Sequence, residues 1–367
     1  MHLRRFALVA ALVCASIALA GSAAALPPGI SLLKDLYPDI DARRSSGASE
    51  FAALGSEVLF RACDSEHGCE LWKTDGTAVG TVLVADLWRG EGSGSPYGFV
   101  PSGTKVFFRA TDGTQGQMLW VTDGTAAGTE MLLHSSRAFY GSASLIRDLG
   151  SQVLSGTDDV VAISNSTLAV SVLVAGATPN SSASIGSSVL FSVSAWSAVS
   201  FANLYRTEGT AGGTQLVTTI PNLASSPSSL TAVGSDVFFM ANTNPGHGRE
   251  LWISDGTAAG TMEVKDIRVG LASSAPGQLT AVGSTLYFVA YDGTNGTELW
   301  KSDGTELGTT MVKDINPGSA SSSPSDLVAI GSTLYFFATD AAAGRELWKS
   351  DGTPGGTVPV LDLVPGA

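Results

Sequence analysis

The stretch ELWKSDGTELGTTMVKDI, residues 298–315, decides the fold, because the chain writes it repeatedly. It returns downstream as ELWKSDGTPGGTVPVLDL (346–363), and a close copy, ELWISDGTAAGTMEVKDI, stands upstream at 250–267. Aligned on the turn, the series runs Asp75, Asp123, Asn165, Glu208, Asp255, Asp303 and Asp351, which makes seven units whose period lies in the forties. A second landmark gives the same count: a glycine opens each apolar run at Gly55, Gly103, Gly150, Gly186, Gly234, Gly283 and Gly331. The third unit has lost both Trp and Asp but keeps the length and the apolar ending.

A period of this size with several short β-rich runs per unit is the pattern of a β-propeller, whereas a helical solenoid of that period needs apolar residues at 3.6 spacing and fewer glycines. Unit seven divides into DLVAI, TLYFFAT, RELWKS and VPVLDL, four strands A to D joined by short connections. Strand B is apolar on both faces instead of alternating, as expected of a sheet covered on each side by its neighbours. The expected fold is all-β: a propeller of seven blades, each of four antiparallel strands.

Within the motif, Leu and Trp fall on opposite faces of strand C, where each is expected to pack against an adjacent blade. The Asp-Gly pair supplies the positive-φ chemistry of the C-to-D turn. Asp75, Asp123, Asp255, Asp303 and Asp351 therefore read as structural turn residues, because single acids on separate blades do not converge as catalysis or metal binding requires. No unit carries an Asp-x-Asp-x-Asp array or a 12-residue loop closed by Glu, so no metal or other cofactor is expected.

At these residues the chain resembles the bacterial ELWxxDGT repeat proteins, whose motif stands here at 70–77, 250–257, 298–305 and 346–353, with variants MLWVTDGT and NLYRTEGT in units two and four. The resemblance covers nearly all of the chain after the leader. It implies export and a propeller-like repeat architecture, with no shared activity. The Asp-Gly hairpin is also similar to the Asp-box turn of sialidase-type propellers, where the turn is structural.

Composition agrees with a turn-rich β protein: 44% hydrophobic, 14% charged and 43 glycines. Residues 1–20 read as a secretory signal, with Arg4 and Arg5 before an apolar run and small residues allowing cleavage after Ala20 or Ala25. Residues 26–367 then form a single seven-repeat domain, exported to the periplasm, the cell surface or the medium. No later segment has the run of apolar residues that membrane insertion requires. A net charge of −13 makes nucleic acid a poor partner. The sequence carries no indication of oligomeric state.

Two cysteines remain after the leader, Cys63 and Cys69, flanking a five-residue loop between strands B and C of unit one, and export favours their pairing as a disulfide. Catalytic signatures are missing: three widely spaced His remain after the leader, and there is no G-x-S-x-G. The expected function is non-enzymatic binding of a carbohydrate or protein ligand, with no catalytic residues assigned. The alternative is a propeller enzyme of the glycoside hydrolase or lyase type with carboxylates meeting in the central channel.

The binding face follows from the topology. In an antiparallel blade the D-to-A and B-to-C loops emerge at one end and the repeated C-to-D turns at the other, so unit-to-unit variation collects at the first end. There unit one carries Trp88, Arg89 and Tyr97, and unit four carries Trp196 and Phe201, aromatic and polar side chains suited to stacking on a ligand. SLLKDL (31–36) and VPVLDL both resemble strand D; one is expected to complete the last blade and the other to cap an edge.

Overall fold

The computed structural model describes residues 32–36, 45–114, 116–132, 145–149, 151–156, 159–195, 202–219, 223–243 and 247–361. They form seven four-stranded antiparallel sheets, each built from consecutive strands in the order A-B-C-D. The first three sheets are β1 (Ser49–Leu54), β2 (Glu57–Asp64), β3 (Gly68–Thr74) and β4 (Val82–Ala85); β5 (Tyr97–Ser102), β6 (Lys105–Ala110), β7 (Met118–Thr122) and β8 (Glu130–Met131); and β9 (Leu145–Asp148), β10 (Gln152–Gly156), β11 (Val160–Ser164) and β12 (Val170–Val174). The fourth and fifth are β13 (Ala177–Ile185), β14 (Ser188–Ala195), β15 (Ala202–Thr207) and β16 (Gln215–Thr219); and β17 (Leu223–Val233), β18 (Asp236–Thr243), β19 (Gly248–Ser254) and β20 (Met262–Lys265). The last two are β21 (Gly277–Val282), β22 (Thr285–Tyr291), β23 (Thr297–Ser302) and β24 (Thr310–Lys313); and β25 (Ser325–Ile330), β26 (Thr333–Asp340), β27 (Gly344–Ser350) and β28 (Val358–Leu361). The fold class is that of a β-propeller with seven blades.

The chain divides into two compact units, with the boundary between Val172 and Leu173. In the first, one apolar cluster runs through the three blades: Leu59, Leu71, Phe107, Phe108, Val153 and Ile163 all belong to it. In the second, a separate cluster fills each junction between successive blades.

The motif's Leu and Trp explain why. Trp300 packs in the cluster shared with the preceding blade, beside Val233, Leu251 and Ile267. Leu299 packs in the one shared with the following blade, beside Leu334, Phe336 and Trp348. Adjacent residues of a strand point to opposite faces, so a Leu-Trp dipeptide joins a blade to both neighbours. Strand B supplies a Phe directly opposite the Trp in five blades: Phe60–Trp72, Phe108–Trp120, Phe239–Trp252, Phe288–Trp300 and Phe336–Trp348.

The C-terminal strand β28 pairs with β27 and completes the last blade. Residues 32–36 form no strand. Leu36 nevertheless packs against Phe60 and Trp72, and the Lys34 ammonium donates to the Thr81 carbonyl at 2.6 Å. Lys265 and Lys313, at the ends of β20 and β24, donate to Thr309 and Thr357 of the next blade in the same way, each at 2.9 Å. The segment thus meets the first blade as the end of a D strand meets its successor.

Candidate functional site

At the C-to-D end of the five blades that carry the Asp-Gly-Thr turn the motif satisfies itself. In the sixth blade the Asp303 carboxylate accepts the Thr305 N–H (2.9 Å) and hydroxyl (2.7 Å), and the Thr305 hydroxyl accepts the Gly308 N–H (2.9 Å). Thr309 then donates to the Thr305 carbonyl (2.7 Å). Gly304 takes φ +93°, which an L side chain resists. Gly308 is glycine for another reason: a Cβ there would strike the Asp303 carboxylate. The hydrogen bonds from Thr hold the carboxyls of Asp75, Asp123, Asp255, Asp303 and Asp351 below the usual range. These acids are consumed by the turn.

The opposite end is organised by a residue the sequence reading passed over, the Glu that opens the motif. Glu70, Glu250 and Glu298 are fully buried. Glu298 accepts the Ile315 N–H (3.1 Å), the Ser322 N–H (2.8 Å) and the Ser322 hydroxyl (2.5 Å), so one carboxylate holds both ends of the D-to-A loop. Glu250 does the same through Ile267 and Ser274, and Glu70 through Leu87 and Gly94. Burial pushes the Glu70 and Glu250 carboxyls up to about 7 against the pull of these bonds, with Asp86 and Asp266 adding repulsion. Glu298 is raised for the same reasons, its neighbour being Asp314.

Between the two anchor points the loop varies. Trp88 is 39% exposed, and its indole lies against the α-carbons of Gly92 in its own loop and Gly113 in the B-to-C loop of the second blade. Neither glycine could carry a side chain with the ring in place. Arg89 is exposed beside it. Tyr97 is the first residue of β5 and is half-buried, with the Arg109 guanidinium 5.8 Å from its ring centroid. Trp196 and Phe201 lie outside the described residues.

The second unit adds members that are not aromatic. Arg268 stands as far beyond Glu250 as Trp88 stands beyond Glu70; it reaches over the Tyr291 ring (4.7 Å) and against Gly293. Val269 and Leu271 follow it, 87% and 79% exposed, at the positions of Arg89 and Glu91. Two exposed aliphatics in a loop without aromatics were the available signal.

Cys63 and Cys69 face each other across β2 and β3 and are joined as a disulfide. Closing so short a loop limits its worth to about 2 kcal/mol. A Cys63→Ser, Cys69→Ser protein is expected to lose that much in urea titration, and the native protein to take up alkylating reagent only after reduction.

Among the described residues no group of three or more His, Cys, Asp or Glu is arranged to hold a metal ion, and no helix is long and apolar enough to cross a membrane. No protein-family model matches the chain, and no curated protein matches it by sequence. Solved structures do. A prolyl endopeptidase, one of two studied for inter-domain dynamics in catalysis and specificity, is 13% identical with a TM-score of 0.50 over 87% of this chain and 50% of its own. The acylaminoacyl peptidase of Pyrococcus horikoshii is 12% identical (TM-score 0.43), covering 86% of this chain and 52% of its own. The β-propeller domain of the Trilobed protease from Pyrococcus furiosus, described as having an open velcro topology, is 11% identical (TM-score 0.43), covering 87% of this chain and 99% of that domain. The chain spans about half the length of the first two, and at these identities the likeness is one of fold.

Proposed function

We propose that the chain is an exported, non-catalytic β-propeller that binds a carbohydrate or protein ligand on its D-to-A loop face. One observation carries this reading: the exposed side chains that do not repeat, Trp88 and Arg89 in one unit and Val269 and Leu271 in the other, stand on loops whose ends are fixed by buried carboxylates. Anchored loops that vary between their anchors present side chains at little entropic cost, which is what recognition needs. The motif carboxylates are tied into turns and loops, which supports binding over catalysis. The Cys63–Cys69 bond supports export to an oxidising compartment.

The test is a glycan and surface-polysaccharide binding screen of the chain without residues 1–25, beside a Trp88→Ala variant and a Val269→Ser, Leu271→Ser variant. Each is expected to fold and to lose at least tenfold in affinity for a ligand engaged at its loop, about 1.4 kcal/mol or more. Full-strength binding by both folded variants removes these loops from the site. Cleavage of a glycan during the screen replaces the reading with that of a propeller glycosidase or lyase.

A further inference from the structure

The repeat itself shows what its fold requires at each position, and one position departs from it. The strand B residue opposite the motif Leu is apolar in the last three blades: Met240, Val289 and Phe337. In the first two blades it is Arg61 and Arg109. In the third and fourth it is a buried serine: Ser155, opposite Val161 and without a hydrogen-bond partner, and Ser192, opposite Leu204 and donating to the Pro227 carbonyl.

Arg109 is only 6% exposed. Among the described residues no carboxylate forms an ion pair with it or with Arg61, although the chain holds 33 acids. Tyr97, directly opposite on β5, is its one charge-favouring neighbour. The Arg61 Nε is sealed without a partner, whereas no nitrogen of Arg109 is, so the free donors of Arg109 reach solvent through the small exposed fraction.

A buried guanidinium without a carboxylate is costly, and an uncharged residue stands at the same place in five other blades. Among the described residues Tyr97 alone offsets the cost, which leaves room for an acidic ligand to do so. A guanidinium fork matches a planar carboxylate through two parallel hydrogen bonds, and an aromatic ring at its side offers a face on which a sugar ring stacks. We infer that Arg109 and Tyr97 form a recognition site for the carboxylate of an acidic sugar, with Arg61 adding positive potential from the adjoining blade. The site lies on β5 and β6 of the second blade, at the end where the D-to-A loop enters, and its test touches neither Trp88 nor Val269 and Leu271, so the failure of either reading leaves the other standing.

The experiment is thermal unfolding of the chain without residues 1–25, with and without D-glucuronate at about 20 mM, against D-glucose, inorganic phosphate and an acetylated dipeptide acid at the same concentration. Glucuronate is expected to raise the midpoint by roughly 3 °C, and the other three by less than about 1 °C. Arg109→Met is expected to fold with a midpoint no lower than wild type, since it removes an unpaired buried charge, and to lose the response. Arg109→Lys, which keeps the charge without the fork, is expected to lose most of it. An equal response to phosphate or to the dipeptide acid overturns the assignment to an acidic sugar. No response in wild type, a response that survives in Arg109→Met, or an Arg109→Met protein that is unfolded or much less stable overturns the site itself and makes Arg109 a structural residue.

Discussion

Glu298→Ala is expected to cost about 3–5 kcal/mol, more than most single changes on a protein surface or in its turns. The substitution leaves the Ile315 and Ser322 N–H groups and the Ser322 hydroxyl inside the protein with nothing to receive them. Each orphaned donor costs about 1–3 kcal/mol, and the relief of removing a desolvated carboxylate offsets only part of that sum. The damage should be local as well as global: amide exchange at Ile315 and Ser322 should accelerate ahead of exchange in β22, and the urea midpoint should fall. A loss below about 1 kcal/mol would mean that water replaces the carboxylate and that the loop has another anchor.

Mild acid should stabilise the protein. The Glu70 and Glu250 carboxyls sit at about 7 in the folded chain against 4.5 when unfolded, so the folded state holds protons that the unfolded state has released between those values. Their contribution is fully present below 4.5 and is lost as pH rises through 7. His67 and His247, raised by hydrogen bonds to Asp64 and Glu263, act with the same sign. The thermal midpoint is therefore expected to be several degrees higher at about pH 5.5 than at about pH 8. Below the ordinary Asp value of 3.8 the trend reverses, because the turn aspartates, held low by their threonines, must then take up protons. A Glu70→Gln, Glu250→Gln protein should be less stable at pH 5.5 and should show a flatter profile above it, retaining the parts of Glu298 and the histidines. A profile that stays as steep as wild type would place the titration elsewhere.

Much of this architecture could be read from the sequence, because what determines it is local. The four strands of unit seven, the opposed faces of Leu299 and Trp300 and the positive φ of Gly304 each follow from neighbouring residues. Glu298 was less legible because its partners lie 17 and 24 residues downstream, in a loop that carries no motif of its own. The signal was its constant distance from those loop residues in three units. Trp88 was placed on the correct loop, but its contact with Gly113 depends on how the second blade packs against the first. Arg109 is hard to read from sequence because an apolar run identifies strand B, and the charged residues that flank VFF in KVFFRA look alike as strand ends.

The side-chain bonds between blades have a genetic consequence. Lys265 meets Thr309, and Lys313 meets Thr357, across the same 44-residue offset, while each loop-holding Glu reaches only into the loop that follows its own blade. A duplicated stretch of one full period, spliced in at any phase, would bring its own donors and acceptors at the distances its new neighbours require. Unequal crossing-over could thus lengthen or shorten such a gene one blade at a time with no compensating mutation. The third unit lacks the motif's Trp and Asp and still forms a four-stranded sheet, so a copy can lose both and keep its place in the array.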